Sequence, residues 1–308
     1  MPTQQERLAG GLIGLLVGDA LGVPYEFHAP EQIPPADLIE LTPPVGFARS
    51  HPSAPAGTWS DDGAQALCLL DSLLAHNRFD ADDFGRRLLL WYEKGYMAVD
   101  GNVFDVGAQT GRALRALRSG TPALQAGATE EQALGNGSLM RVLPLALWHR
   151  GTDDALVADA HAQSRVTHGH VRAQVCCALY CLWARRVIEE CDDPWADAVQ
   201  TLRRIYLADP DAQRELEWSV RPNDPYQARG RGYVVDTLHS AREALRAGPY
   251  EAVVRAAVAF GHDTDTTACV AGGIAGVRDG IEAIPRRWRT GLRGLGLVES
   301  LLAGLLAQ

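Results

Sequence analysis

Apolar residues recur every three or four positions along most of this chain, the spacing of one face of an α-helix. No segment shows the apolar–polar alternation of a half-buried β-strand. The pattern predicts helices over residues 4–22, 63–76, 80–94, 106–118, 128–134, 139–149, 153–163, 169–191, 194–207, 232–247, 249–260 and 265–278, and over 281–307 in pieces. Because no fixed repeat period accompanies them, we predict an all-α fold, a single compact orthogonal helical domain over 1–308.

The first predicted helix carries glycines at 10, 11, 14, 18 and 22, several of them on one face. Glycine lowers helix propensity but lets a neighbouring helix approach closely. The spacing therefore predicts a buried central helix. Asp19 lies inside this apolar stretch and needs a polar partner if it is buried.

Two segments lack a helical pattern. Residues 28–57 contain seven prolines, and residues 209–231 are polar and rich in Pro, Asp, Arg and Gly. Long irregular segments within a compact domain are often lids or binding loops. We predict lid loops at both places.

Composition narrows the classes of partner. The net charge of −9 and the absence of a basic stripe argue against nucleic acid. The N-terminus does not read as a leader and no run predicts a membrane span, so we expect a cytoplasmic protein. Six cysteines without CxxC spacing are expected to be buried free thiols. The apolar stretch 295–306 is interpreted as a core helix, which favours a monomer.

Two acidic and hydroxyl-bearing clusters each precede a predicted helix: Trp59-Ser-Asp-Asp-Gly63 and Gly261-His-Asp-Thr-Asp-Thr-Thr267. Asp, Ser and Thr are common helix N-caps, so capping alone is one interpretation. Capping needs one acceptor per helix, however, and these clusters carry more. Oxygen-only ligands favour hard cations such as Mg²⁺, Ca²⁺ or Mn²⁺ over zinc. If the clusters converge, their number suits two ions roughly 3.5–4 Å apart.

Two glycine-bearing turns also precede predicted helices, Gly135-Asn-Gly-Ser-Leu-Met-Arg141 and Asp105-Val-Gly-Ala-Gln-Thr-Gly111. Backbone N–H groups at such a position can hold phosphate oxygens, and Arg141 can reinforce them. Each turn is also an ordinary loop and cap sequence. His168 can contact a ligand or simply cap a helix.

Taken together and in chain order, these segments resemble the ADP-ribosylglycohydrolase family. The resemblance runs from about residue 7 to about 290. It rests on Gly18-Asp-Ala-Leu-Gly22 with Glu26, Trp59-Ser-Asp-Asp62, Gly135-Asn-Gly-Ser-Leu-Met-Arg141, Thr167-His168, Gly232-Tyr-Val-Val-Asp-Thr-Leu238 and Gly261-His-Asp-Thr-Asp-Thr266.

The resemblance implies an all-α fold with two Mg²⁺ or Mn²⁺ ions between helix starts. The implied metal ligands are Ser60, Asp61, Asp62, Asp263, Asp265 and Thr266. The implied ADP-ribose contacts are Gly107, Thr110, Asn136, Gly137, Ser138, Met140, Arg141, His168 and Tyr233. Asp105 and Glu26 are the candidate general acid or base. The family pattern has a threonine where this chain has Gly63, so one hydroxyl near the metals is missing.

The resemblance further implies that the substrates are ADP-ribosylated proteins and that ADP-ribose is the product. The bond broken would be the glycosidic bond at ribose C1″, and the motif style favours arginine as the modified side chain. Serine linkages and O-acetyl-ADP-ribose share the ADP-ribose half and remain alternatives. A non-catalytic ADP-ribose-binding module and a two-metal phosphohydrolase that cleaves the pyrophosphate are the other classes.

Overall fold

Helices and short turns make up all the regular structure of the chain. The computed structural model describes residues 1–308, and it contains no β-strand, only two isolated bridges. The helices are α1 Gln4–Gly22, α2 Asp61–His76, α3 Ala81–Lys94, α4 Ala108–Arg118, α5 Ala123–Ala126, α6 Leu143–Trp148, α7 Asp153–Arg165, α8 Val171–Ile188, α9 Pro194–Ile205, α10 Pro210–Arg214, a π-helix Glu215–Val220, α11 Val234–Ala244, α12 Tyr250–Ala259, α13 Thr264–Asp279, α14 Arg286–Gly291 and α15 Leu295–Leu306. The all-α prediction is confirmed.

Helices α1 and α13 form the centre of the molecule and pack backbone against backbone. A Cβ atom placed on Gly10 would lie 2.2 Å from the carbonyl oxygen of Gly276, and one on Gly18 would lie 2.1 Å from that of Ala268. Gly276 faces Gly10 in the same way. Only glycine permits this approach, which confirms the predicted buried central helix.

The first helix corrects one expectation from the sequence. The segment Gln4–Tyr25 is long and apolar enough to cross a membrane by length and composition, although no such run was predicted. The whole apolar window is buried inside the protein. Its apolar character is therefore explained by its place in the core.

Two predictions about secondary structure are wrong. Residues 128–134 are not helical, because backbone bonds tie this stretch to the turn after α7: Gly127 donates to the Arg165 carbonyl and Gly169 donates to that of Ala128. The segment 209–231 is helical in its first half. The side chain of Asp209 caps α10 by accepting from the Ala212 N–H, so the polar composition there reflects a helix start.

The proline-rich segment 28–57 wraps over the helices and is fastened at Glu40. This carboxylate accepts hydrogen bonds from Arg255, Arg287 and the Trp288 indole at 2.7, 2.9 and 2.5 Å. The anchor fixes the middle of the segment, while His28 and His51 lie beside Glu26, with ring nitrogens 2.8 Å from its carbonyl oxygen and 2.6 Å from its carboxylate. All six cysteines are free, and all except the half-buried Cys191 are buried.

Candidate active site

Helix α2 begins against the middle of the molecule because Asp19 of α1 holds its first turn. The Asp19 carboxylate accepts from the backbone N–H of Ser60 at 2.9 Å and of Gly63 at 2.7 Å. These are the partners that a buried Asp19 requires. A Cβ atom at Gly63 would lie within 2.9 Å of Leu16 and Trp59, so the threonine that the resemblance implies at this position would clash with them.

Helix α13 brings the second acidic cluster to the same place. The Thr264 hydroxyl donates to the carbonyl oxygen of Gly22 at 2.8 Å, which joins the start of α13 to the end of α1. The Thr266 hydroxyl lies 3.4 Å from Asp62 Oδ1. The two clusters, 204 positions apart in sequence, therefore converge.

The convergent clusters border a cavity of about 260 Å³. Its lining includes the predicted residues Glu26, Asp61, Asp62, Asp105, Gly107, Thr110, Asn136, Gly137, Met140, His168, Asp263 and Thr266. Five carboxylates line it, and no lysine or arginine does. Ser60 and Asp265 are buried next to lining residues without lining the cavity themselves. An occupant that carries positive charge would complement this wall.

Burial and mutual repulsion disfavour ionisation of these carboxyls. Burial, followed by the charges of neighbouring carboxylates, raises the pKa of Asp61, Asp62 and Asp265. Burial and the nearby Asp263 raise the pKa of Asp105 to about 6. For Glu26, burial and the nearby Asp105 raise it to about 10. The cluster is stable in its ionised form only if positive charge joins it.

The residues present fit hard divalent cations. Asp62 Oδ2 and Asp265 Oδ2 are buried and lack any hydrogen-bond donor, an arrangement that is costly for a carboxylate. Carboxylate oxygens of Glu26, Asp263 and Asp265 lie within 4.8 Å of one another. Helix capping accounts for Ser60, whose Oγ accepts from the Asp62 N–H at 3.2 Å, but it leaves the two orphan oxygens unexplained.

Comparison with known proteins decides the family. The model of the family described as ADP-ribosylglycohydrolase matches residues 1–308. The chain belongs to this family.

Known proteins resemble the chain over most of their length. The ADP-ribosylarginine hydrolase Tri1 of Pseudomonas putida (strain GB-1) is 32% identical over 287 residues, covering 92% of this chain and 73% of that protein. The ADP-ribosyl-dinitrogen reductase glycohydrolase of Rhodospirillum rubrum is 28% identical, over 93% and 90%. A solved structure titled ADP-ribosylglycohydrolase-related protein complex superposes with a TM-score of 0.76 at 33% identity, over 100% and 98%. The chain is thus a glycohydrolase of the ADP-ribosyl hydrolase type.

Within this ADP-ribosylglycohydrolase, the glycine turn at 135–141 packs on His168. A Cβ atom on Gly137 would lie 2.8 Å from the His168 ring, so glycine is required where turn and ring meet. Burial lowers the pKa of His168 to about 3, and its Nδ1 lies 2.7 Å from the Thr167 hydroxyl. The ring is a neutral wall of the cavity. The backbone N–H group of Gly137, which lines the cavity, has no acceptor within the protein and is free to donate to a ligand.

Asn136 links this turn to the acidic clusters. Its side-chain amide donates to Asp263 Oδ2 at 2.8 Å and to the Thr237 hydroxyl at 2.9 Å. The predicted ADP-ribose contact therefore also orients a predicted metal ligand.

Three predicted contacts do not line the cavity. Arg141 is fully buried and donates to Gln65 and Gln163, so its hydrogen bonds are made within the protein, and its contact with phosphate stays a prediction. The guanidinium supports α2 from behind the site. The side chains of the other two predicted contacts also have protein partners: Ser138 accepts from Ser164, and Tyr233 accepts from Arg172.

Sequence reasoning missed two side chains at the cavity. Gln109 lines it, and its amide oxygen accepts from the Gly135 N–H at 3.3 Å, which joins the two glycine turns. His51 lies in the proline-rich segment, with Nε2 2.6 Å from Glu26 Oε2. The position of Gln109 between two glycines of one turn was an available signal. Nothing in the irregular sequence around His51 marks it.

Proposed function

We propose that this protein hydrolyses the glycosidic bond that joins ADP-ribose to arginine side chains of proteins. The observation that carries the proposal is the cavity with five carboxylates and no lysine or arginine in its lining. Glu26 and Asp105 lie outside the proposed metal ligands, and a guanidinium is a planar cation that can donate hydrogen bonds to both, whereas a serine hydroxyl is neutral. The relative from Pseudomonas putida is named an ADP-ribosylarginine hydrolase, which supports this choice.

Six residues would hold two divalent cations, Mg²⁺ or Mn²⁺: Ser60, Asp61, Asp62, Asp263, Asp265 and Thr266. Bound there, the cations would supply positive charge that orients ribose hydroxyls and makes a nearby water more acidic. The protein's part is to hold these oxygens in place. Asp19 fixes the first cluster through α2, and Asn136 fixes Asp263.

Asp105 and Glu26 carry out the proton transfers of the reaction. Their carboxylate oxygens lie within 4.8 Å of each other, so one carboxyl of the pair retains a proton when the other is ionised. Water adds to C1″ as the C1″–N bond breaks, and the bonding electrons remain on the guanidine nitrogen. We assign Glu26, whose pKa is raised further, to protonate that nitrogen, and Asp105 to accept the proton of the water.

Parallel incubations with arginine- and serine-ADP-ribosylated peptides test the proposal, each with Mg²⁺ or Mn²⁺ and again with EDTA. We expect cation-dependent release of ADP-ribose from the arginine peptide. Release from the serine peptide alone would overturn the choice of acceptor. Binding of ADP-ribose without release from either peptide would favour a binding module.

The variant Asp265→Asn tests the proposed metal ligands. It keeps the shape of the side chain and removes the charge, so we expect release to fall roughly 100-fold or more. Undiminished release by this variant would contradict the proposed ligand set.

A further inference from the structure

Three aromatic rings lie in a row beside the acidic cavity. The His51 ring lies between those of Phe27 and Phe104, with centroid distances of 5.7 and 5.1 Å. Phe27 follows Glu26 in sequence and Phe104 precedes Asp105, so each phenylalanine is adjacent in the chain to a residue whose carboxyl group lines the cavity. The His51 ring contacts Glu26 directly through its Nε2 atom. The three rings thus lie directly beside two of the cavity's carboxyl groups, and the proposed reaction leaves the rings unused.

The Phe27 ring is exposed, and its residue has a left-handed backbone conformation that is unfavourable for residues other than glycine. Phe27 has φ of 61°, and 69% of the residue is exposed. A bulky residue in the left-handed region costs about 1 kcal/mol or more and occurs mostly where function requires it. The conformation is maintained by the Phe27 N–H, which donates to the His262 carbonyl at 2.6 Å beside the second acidic cluster. Folding alone does not explain why a phenylalanine is held in the open here.

The neighbouring charge defines what this surface can receive. A guanidinium stacks its flat face on aromatic rings while its N–H groups donate to carboxylates in its own plane. Asp105 supplies a carboxylate and the protonated Glu26 carboxyl supplies its carbonyl oxygen, and no arginine or lysine lines the cavity to compete for them. A neutral hydroxyl acceptor such as serine uses neither feature.

We propose that Phe27, His51 and Phe104 form an aromatic ledge that receives the guanidinium of the modified arginine and selects it over other acceptors. The inference rests on the proposed function and adds residues that determine specificity. The ledge recognises the acceptor, while the ADP-ribose half is held elsewhere in the cavity.

Substitutions at Phe27 test the ledge, because an exposed ring can be changed without disturbing the core. Phe27→Leu removes the π face and keeps an apolar side chain, and Phe27→Tyr keeps the face. For the arginine-modified peptide we expect Phe27→Leu to raise KM roughly two- to five-fold with kcat unchanged. We expect Phe27→Tyr to behave like the wild type, and the Kd for free ADP-ribose to be the same in all three proteins.

Trp218→Leu is the matched control, because this tryptophan, 80% exposed, is open to solvent like Phe27 but does not flank a cavity carboxylate in sequence and does not contact His51. It should leave KM unchanged. If the wild type cleaves the arginine peptide and Phe27→Leu leaves KM unchanged, or weakens ADP-ribose binding by the same factor, the ledge is refuted while the proposed function stands. If the wild type releases ADP-ribose from the serine peptide only, the proposed function fails and the ledge fails with it.

Discussion

Replacing Gly18 by alanine tests whether the contact between α1 and α13 positions the site. The new Cβ atom would lie 2.1 Å from the Ala268 carbonyl oxygen, and because the backbone fixes the position of both atoms, no side-chain rotation can relieve the clash. Relief requires the helices to separate by about 1 Å in a close-packed core. Such overpacking costs about 3 kcal/mol, and the higher helix propensity of alanine returns at most about 1 kcal/mol.

We therefore expect Gly18→Ala to lower the free energy of unfolding by about 2 kcal/mol. For a chain of 308 residues this corresponds to about 3 °C in Tm, measured by calorimetry. Because Ala268 lies one turn after Asp265, the shift also separates Asp265 from Asp62. A displacement of this size can lower kcat roughly 100-fold at temperatures where the variant is folded.

Gly296→Ala is the control for this change. Gly296 lies in α15, and a Cβ atom there meets no heavy atom within 4 Å. This variant should match or exceed the wild type in Tm and retain full activity. The reasoning is refuted if Gly18→Ala melts with the wild type and keeps its kcat.

Three further perturbations concern ionisable groups that are buried or partly buried. Burial raises the pKa of Asp19 to about 7 and that of Asp105 to about 6, so both bind protons more tightly in the folded state than in the unfolded chain. The metal-free protein should thus be most stable near pH 4 and lose stability as pH rises through about 6 to 7. Mg²⁺ should reverse this loss at neutral pH. A Tm in EDTA that does not change with pH would contradict the prediction. Arg141→Met should lower the free energy of unfolding in urea by about 2–4 kcal/mol because Gln65 loses its donor. The Kd of the folded protein for ADP-ribose should not change. A higher Kd would show that Arg141 contributes to ligand binding. Glu40→Gln should lower stability by about 1 kcal/mol, since its ion pairs are partly exposed, and a loss above about 3 kcal/mol would show that the anchor matters more than its exposure suggests.

The central packing was predictable because its cause is local in sequence. Glycines repeated on one face of α1 predict a closely packed neighbouring helix, and Asp19 within that helix predicts a buried hydrogen-bond partner. The meeting of the two acidic clusters was predictable because each carries more oxygens than a helix cap uses. Both predictions depend on residue type and spacing alone.

The direction of individual side chains was not predictable in the same way. Arg141 follows a glycine turn that lines the cavity, yet its side chain points into the core, because Gln65 and Gln163 offer acceptors there. His51 reaches Glu26 only through the path of an irregular segment, which no periodicity encodes. The helix expected at 128–134 has the right apolar spacing, but tertiary hydrogen bonds to the turn after α7 hold it in another conformation.

The measurement that tests the central claim most directly is the mass spectrum of an arginine-ADP-ribosylated peptide after incubation with the protein and Mg²⁺. Hydrolysis at C1″ predicts a peptide that returns to its unmodified mass, together with intact ADP-ribose. A peptide that keeps ribose phosphate while AMP is released would show pyrophosphate cleavage instead. An unchanged spectrum with Mg²⁺ and with Mn²⁺ would contradict arginine as the acceptor.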